Sequence, residues 1–218
     1  MKKKARFPRI YLGLILAIMY IPIVLVIIYS FNESRMSSVW DGFSLKWYRE
    51  LFRDKDLLES LINSVVLATI SSLSAAVIGT LGAVSMPKIN LRGKGLIEYF
   101  SLLRLPFGMT TLAVAHTSFC IPYVYMLVKA RLVGIDKSFA EAAKDLGASE
   151  WNVFFDITLP LILPAIASGA LLSFAMSLDD VVISIFVTGV NTNTLPIKIY
   201  TQLKTGVTPK INALCTLM

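Results

Sequence analysis

Two adjacent aspartates, Asp179 and Asp180, sit in "FAMSLDDVVISIFV" and are the only charged residues between Ile157 and Ile197. A carboxylate in hydrocarbon costs on the order of 2.5–3.5 kcal/mol on insertion scales, so an acid at that depth is by default a functional residue. A pair of acids could attract a cationic solute along a route that also offers aromatic faces. It could instead form a structural ion pair with another subunit, or act as the proton-sharing dyad of a membrane-embedded aspartyl enzyme. The dyad needs carboxyl groups brought together from separate elements, whereas neighbours on one helix point about 100° apart. At most one of these two can face a given site squarely. The other is left to pair with a neighbouring helix or to cap a break.

Few other residues carry chemical potential. His116 stands alone in "TLAVAHTSFC" and reads as a hydrogen-bonded structural histidine. Cys120 and Cys215 are isolated in apolar context, with no CxxC spacing, and read as packing residues; no metal site is expected. There is no GxxxxGK[ST] segment, so any ATP chemistry belongs to another chain, and no cofactor and no catalytic residue are expected here.

The elements that must hold the acids are membrane helices. Ile10–Tyr29, Ser60–Pro87 and Leu105–Val128 are uncharged runs of 20, 28 and 24 residues, each meeting the ~20 residues a helix needs to span the hydrocarbon core. A fourth span begins near Leu161. With 56% hydrophobic and only 16% charged residues, the chain is an all-α, polytopic integral membrane protein. The net charge of +7 does not indicate nucleic acid. Its basic residues are scattered except for Lys2, Lys3, Lys4, Arg6 and Arg9, which precede the first span and hold the N-terminus in the cytoplasm. That span is too long for a signal-peptide core, and no small-residue cleavage site follows it. The polar segment 30–59 is then outside, with Trp40, Trp47 and Tyr48 as interfacial aromatics in the amphipathic "SVWDGFSLKWYRELF". Lys88, Arg92 and Lys94 of "PKINLRGKG" return the chain to the cytoplasm.

The most specific pattern is "EAAKDLGASEWNVFFDITLP", residues 141–160. "SFAEAAKDL" consists of good helix formers and stops at Gly147, a natural helix end. Ser149 is placed to cap a second short helix, and Pro160 and Pro164 limit its continuation. The spacing predicts a compact helix–turn–helix knob. Glu141, Ala142, Ala143, Gly147, Ile157, Leu159 and Pro160 fit, without a mismatch, a pattern that resembles the EAA motif in membrane subunits of ATP-binding-cassette importers. The resemblance implies the transmembrane domain of a type I importer, one domain over residues 1–218 with about six spans in the family. It also implies that the knob docks on a cytoplasmic ATPase.

Further stretches, "YIPIVLVIIYSFN", "FCIPYVYMLVKARL", "SLDDVVISIFVTG" and "LPIKIYTQLKTGVTPKINAL", are similar to the second of the paired permeases in spermidine/putrescine importers. That implies a polyamine cargo with Asp179 and Asp180 on its pathway. It implies as partners a second permease subunit, two cytoplasmic ATPase subunits and a periplasmic or extracellular substrate-binding protein, all at the bacterial inner membrane. Another small solute is the alternative cargo. An ion-driven secondary transporter would call for an internal repeat, and none is evident.

A cytoplasmic knob conflicts with the crossing count. Only one full-length run, 105–128, separates the cytoplasmic "PKINLRGKG" from segment 129–156, which would therefore lie outside. The count predicts a missing hydrophobic segment, with a chain break near Ser101–Leu105. "INALCTLM" starts a further apolar run, so a last span is expected to be absent or partial after Asn212. Asp179, 19 residues beyond Pro160, would stand roughly 28 Å above it along a helix, in the middle to outer half of the bilayer.

Overall fold

The computed structural model describes residues 6–34, 39–85, 107–136, 138–189, 192–206 and 208–217. The helices among them are α1 (Arg6–Ser30), α2 (Lys46–Arg53), α3 (Lys55–Ser85), α4 (Met109–Val133), α5 (Ser138–Asp145), α6 (Glu150–Asn152), α7 (Leu159–Leu178), α8 (Val182–Val187), α9 (Leu195–Thr205) and α10 (Pro209–Leu217). A π-helical turn, Val153–Thr158, joins α6 to α7. Among the described residues, four stretches are long and apolar enough to cross a membrane: Ile10–Ser30, Lys55–Ser85, Met109–Val133 and Glu150–Leu178. These are the four spans expected from the sequence, with shifted ends. The predicted break near Ser101–Leu105 lies outside the described residues.

The described residues group into two compact units, residues 1–59 with 198–218 and residues 60–197. In the first unit, α1 is apolar all round and exposed from Ile10 to Leu25, the pattern of a helix whose surroundings are lipid or another chain. Asn32 organises the chain that follows. Its amide N–H donates to the Val39 carbonyl, its side-chain oxygen accepts from Asp41 N–H, and its own carbonyl accepts the Trp47 indole N–H at 2.6 Å. Phe31 stacks on Phe43 at 5.1 Å. These contacts seat α2, which buries Trp47 and Leu51. Asp54 caps α3 by accepting Leu57 N–H at 3.2 Å and pairs with Lys210 of α10. This cap starts α3 at Lys55 rather than at the first uncharged residue, Ser60. α10 packs against α1 and α2.

The second unit is built on small residues. α3 buries Ser64, Ala68, Ser71, Ala75, Gly79 and Ala83 on one face. Ala75 and Ala83 meet Cys120, Val124 and Val128 of α4 and Ile162 of α7 in one core cluster. Between membrane helices there is little hydrophobic drive, so close backbone approach through small residues supplies the packing. Val124 receives two glycines. A Cβ added at Gly79 would lie 2.9 Å from Val124 Cβ, and one at Gly169 would lie 3.2 Å from Val124 Cα. Gly79 leaves no room for a methyl, and at Gly169 a methyl would press on the same residue.

One expectation about the second knob helix is corrected. Pro160 and Pro164 do not end it, and helix runs from Glu150 through both prolines to Leu178. Pro160 has no N–H to give, and the π turn before it shifts the hydrogen-bond register, with Leu159 N–H reaching Phe154 O. The mismatch is absorbed as a bulge, and helix continues. The Arg131 side chain donates from α4 to the Leu161 carbonyl at 3.0 Å, close to the second proline.

Candidate functional site: a broken helix and a projecting knob

The run containing the acids is not continuous helix, which corrects the expectation that both aspartates sit in regular helical register. α7 ends at Leu178, α8 begins at Val182, and Asp179, Asp180 and Val181 form the break. Irregular backbone at membrane depth persists only where it is buried in protein or lines a polar cavity. Asp180 meets that demand directly. Its carboxylate accepts the Ser184 N–H at 3.0 Å, capping α8. Asp179 differs: its side chain is exposed, and among the described residues it has no hydrogen-bonding or ion-pair partner.

Across the break stands His116, fully buried on α4. One ring nitrogen, Nδ1, is 2.8 Å from Ser177 Oγ on α7, and the other, Nε2, is 3.1 Å from Ser184 Oγ on α8. Nε2 is also 3.6 Å from Asp180 Oδ2, too long for a hydrogen bond but close enough for charge to be felt. The histidine expected to be hydrogen-bonded and structural is hydrogen-bonded, and its partners are the two halves of the broken helix. Sequence reasoning missed Ser177 and Ser184. Their only signal is that they lie seven residues apart, on one helical face.

Leu112, His116, Cys120, Val124 and Val128 form the buried stripe of α4, and Ile162, Gly169, Ser173 and Ser177 that of α7. One turn from His116, Cys120 Sγ lies 3.5 Å from Ser173 O. Cys120 is buried and Cys215 exposed, and the two are not joined by a disulfide.

The knob lies at the other end of α7. Asp136 accepts Ser138 N–H at 2.9 Å before α5, and this bond, with help from the Ser138 hydroxyl, holds the Asp136 carboxyl below its ordinary value. α5 ends in a Schellman turn: Ala148 N–H bonds Ala143 O at 3.0 Å and Gly147 N–H bonds Lys144 O at 2.9 Å. Gly147 takes φ +86°, with nothing within 4 Å of an added Cβ, so the position needs glycine for its backbone and not for space. Ser149 caps α6 as expected, accepting Asn152 N–H at 3.3 Å. Glu141, Ala142, Gly147 and Pro160 are exposed, while Ala143, Ile157 and Leu159 are half-buried. α5 buries none of its residues. Leu146 is 90% and Trp151 73% exposed, and Trp151 stacks on Phe155 at 6.1 Å. The turn thus leaves large apolar side chains uncovered among the described residues.

Four apolar stretches among the described residues, long enough to cross a membrane, define the class as an integral membrane protein. The chain belongs to the family of binding-protein-dependent transport system inner membrane components, whose sequence model matches residues 1–217. It is an integral inner-membrane permease subunit. Among its relatives, the spermidine/putrescine transport system permease protein PotC of Haemophilus influenzae is 40% identical, covering 95% of this chain and 89% of the relative. PotC of Escherichia coli K12 is 42% identical over 94% and 85%. The putrescine transport system permease protein PotI of the same strain is 40% identical over 92% and 81%. A crystal structure of a bacterial ABC transporter involved in the import of the acidic polysaccharide alginate shares the fold, with a TM-score of 0.66 at 16% identity, covering 100% of this chain and 94% of its own.

Proposed function

We propose that the chain, as one transmembrane domain, is a permease subunit of an ATP-driven polyamine importer. It would form the translocation pathway with a second permease and take ATP-driven motion from two cytoplasmic ATPase subunits at the knob. A substrate-binding protein would deliver cargo from outside. The observation that carries the cargo assignment is the exposed Asp179 carboxylate, free of a partner among the described residues, at the helix break that directly follows the fourth apolar stretch. An anion left open at such a break attracts a cation. Identity of 40% or more to three permeases with polyamine-system names supports the same reading.

The knob supports the coupling role. Glu141, Ala142, Ala143 and Gly147 shape a short helix with small residues on its surface, so another protein can approach closely, and Leu146 and Trp151 offer apolar anchors. Ile157 lies in the π turn and Leu159 and Pro160 open α7, so force applied at the knob would pass along one continuous helical stretch to the break. The positive cluster before α1 supports a cytoplasmic N-terminus.

A different small solute is the second reading, favoured by the 35% identity to the molybdenum transport system permease protein ModB over 75% of this chain. The test is uptake of labelled spermidine and putrescine by the complete transporter in proteoliposomes with trapped ATP. Saturable uptake requiring the binding protein supports the assignment, and absence of both uptakes in a complex that still hydrolyses ATP removes it.

A further inference from the structure

Resting on the polyamine reading, we infer that His116 is a positioning residue: it clasps the two halves of the broken helix, fixes Asp180 as the cap of α8 and leaves Asp179 as the carboxylate offered to cargo. The clasp is visible atom by atom. Nδ1 holds Ser177, the last-turn residue of α7, at 2.8 Å, and Nε2 holds Ser184, in the first turn of α8, at 3.1 Å. The same Ser184 gives its N–H to Asp180, so hydroxyl and amide of one residue link the ring to the carboxylate. Ser177, Ser184 and His116 are all buried, so these bonds form where water does not compete and a lost partner is not replaced.

The two acids therefore have different work. Asp180 is committed through Ser184 N–H and lies beside the imidazole, so moving it would uncap α8. Asp179, on the exposed side of the same break, has no such commitment among the described residues. Two adjacent residues in regular helix would be held 100° apart by the backbone alone. Here the α7 ladder reaches Asp179, whose N–H bonds Ala175 O at 3.2 Å, and helix resumes only at Val182, so a side chain from another helix holds the two halves together. His116 reaches both half-helices from α4, at a separation of 61 and 68 residues in sequence.

The test uses the whole transporter in proteoliposomes and compares His116→Ala, His116→Gln and Ser184→Ala with wild type. Glutamine places one donor and one acceptor in reach of the two serines, so it restores the clasp without an aromatic ring. The expected result for His116→Ala is an apparent KM for spermidine raised at least about fivefold, with maximal uptake per assembled complex kept within about twofold. Ser184→Ala should shift KM in the same direction, and His116→Gln should return it close to wild type. Hydrogen–deuterium exchange over residues 174–188 gives a readout independent of cargo. His116→Ala should exchange faster there, His116→Gln should not, and the middle of α3 should be unaffected.

Unchanged KM together with unchanged exchange in His116→Ala overturns the clasp. So does a loss of assembled complex in all three variants with uptake per complex intact, because His116 is then packing only. If His116→Ala does not assemble, Ser184→Ala and His116→Gln decide by the same two measurements. If wild type carries no polyamine, the cargo reading falls, while the exchange result still supports or overturns the clasp.

Discussion

At the break, charge and cap coincide in Asp180 but are separated in Asp179, and this makes the two residues distinguishable by substitution. Asp179→Asn keeps the shape and removes the charge. It should lower spermidine uptake at sub-saturating concentration by about tenfold, the loss of one charged contact of about 1.5 kcal/mol, with complex assembly intact. Asp180→Asn retains an oxygen able to accept Ser184 N–H and should assemble better than Asp180→Ala, which leaves α8 uncapped at a cost of about 1 kcal/mol. Wild-type uptake by both Asn variants, in equal amounts of complex, would remove the carboxylates from the mechanism, and the inferred cargo with them. The pairing of Asp54 with Lys210 is a purely structural matter in the other compact unit. The Lys210 hydrogen bond lowers the Asp54 carboxyl below its ordinary value, with the Leu57 N–H also contributing. A depressed folded-state value means stability that is present above the unfolded carboxylate range, near pH 4, and lost as pH falls through the lower folded value. Asp54→Asn should therefore melt a few degrees lower than wild type at neutral pH, and the two should converge at strongly acidic pH. A constant gap across the acid range would remove this linkage.

At the scale of elements, two glycines illustrate opposite reasons for the same residue. Gly147 has open space around it but a left-handed backbone, so alanine and valine should be penalised alike, by about 1–2 kcal/mol of turn strain, and asparagine less. Transport per ATP hydrolysed should fall in the same order, and tight coupling in Gly147→Val would count against the knob as the coupling element. Gly79 has ordinary helical backbone but no space, since an added methyl meets Val124 Cβ and the Ile121 carbonyl at 2.9 and 3.1 Å. Gly79→Val should therefore lower thermal stability far more than Gly82→Ala, whose added methyl would meet only the Tyr125 ring at 3.6 Å. Equal melting temperatures would contradict the close α3–α4 approach. The EAA pattern, the Gly147 turn and the Ser149 cap were legible because each is a local matter of backbone conformation and short-range hydrogen bonds. The continuation of helix through Pro160 was not, because a π turn can absorb a missing N–H and nothing in the residue types requires it to.

For the whole molecule, the proposed cytoplasmic N-terminus makes a direct prediction. With Cys120 and Cys215 replaced, a cysteine at Leu146 should react with a membrane-impermeant thiol reagent only from the cytoplasmic side. A cysteine at Phe43 should react only from the outside. Both reacting from one side would break the proposed topology. That topology needs an additional crossing between α3 and α4, and the relatives bear on it. The alignment with the Haemophilus protein runs over 228 positions yet takes in 95% of 218 residues here, about 207. The relative thus carries roughly twenty residues without a counterpart in this chain, about the length of one span.

Membrane class, the four long helices, the knob and the conspicuous acids were determined by the sequence alone. They depend on runs of hydrophobicity, on glycine and proline, and on the energy of a charge in hydrocarbon, all of which are properties of residues and near neighbours. Tertiary structure decided which acid is committed. His116 lies more than sixty residues from Ser177 and Ser184, and helical periodicity says nothing about which face of one span meets which face of another. That meeting is set by the small-residue contact of Gly169 with Val124, which brings α4 and α7 close enough for one imidazole to reach both sides of a break. Only once the helices are packed does a pair of adjacent aspartates become one cap and one open carboxylate.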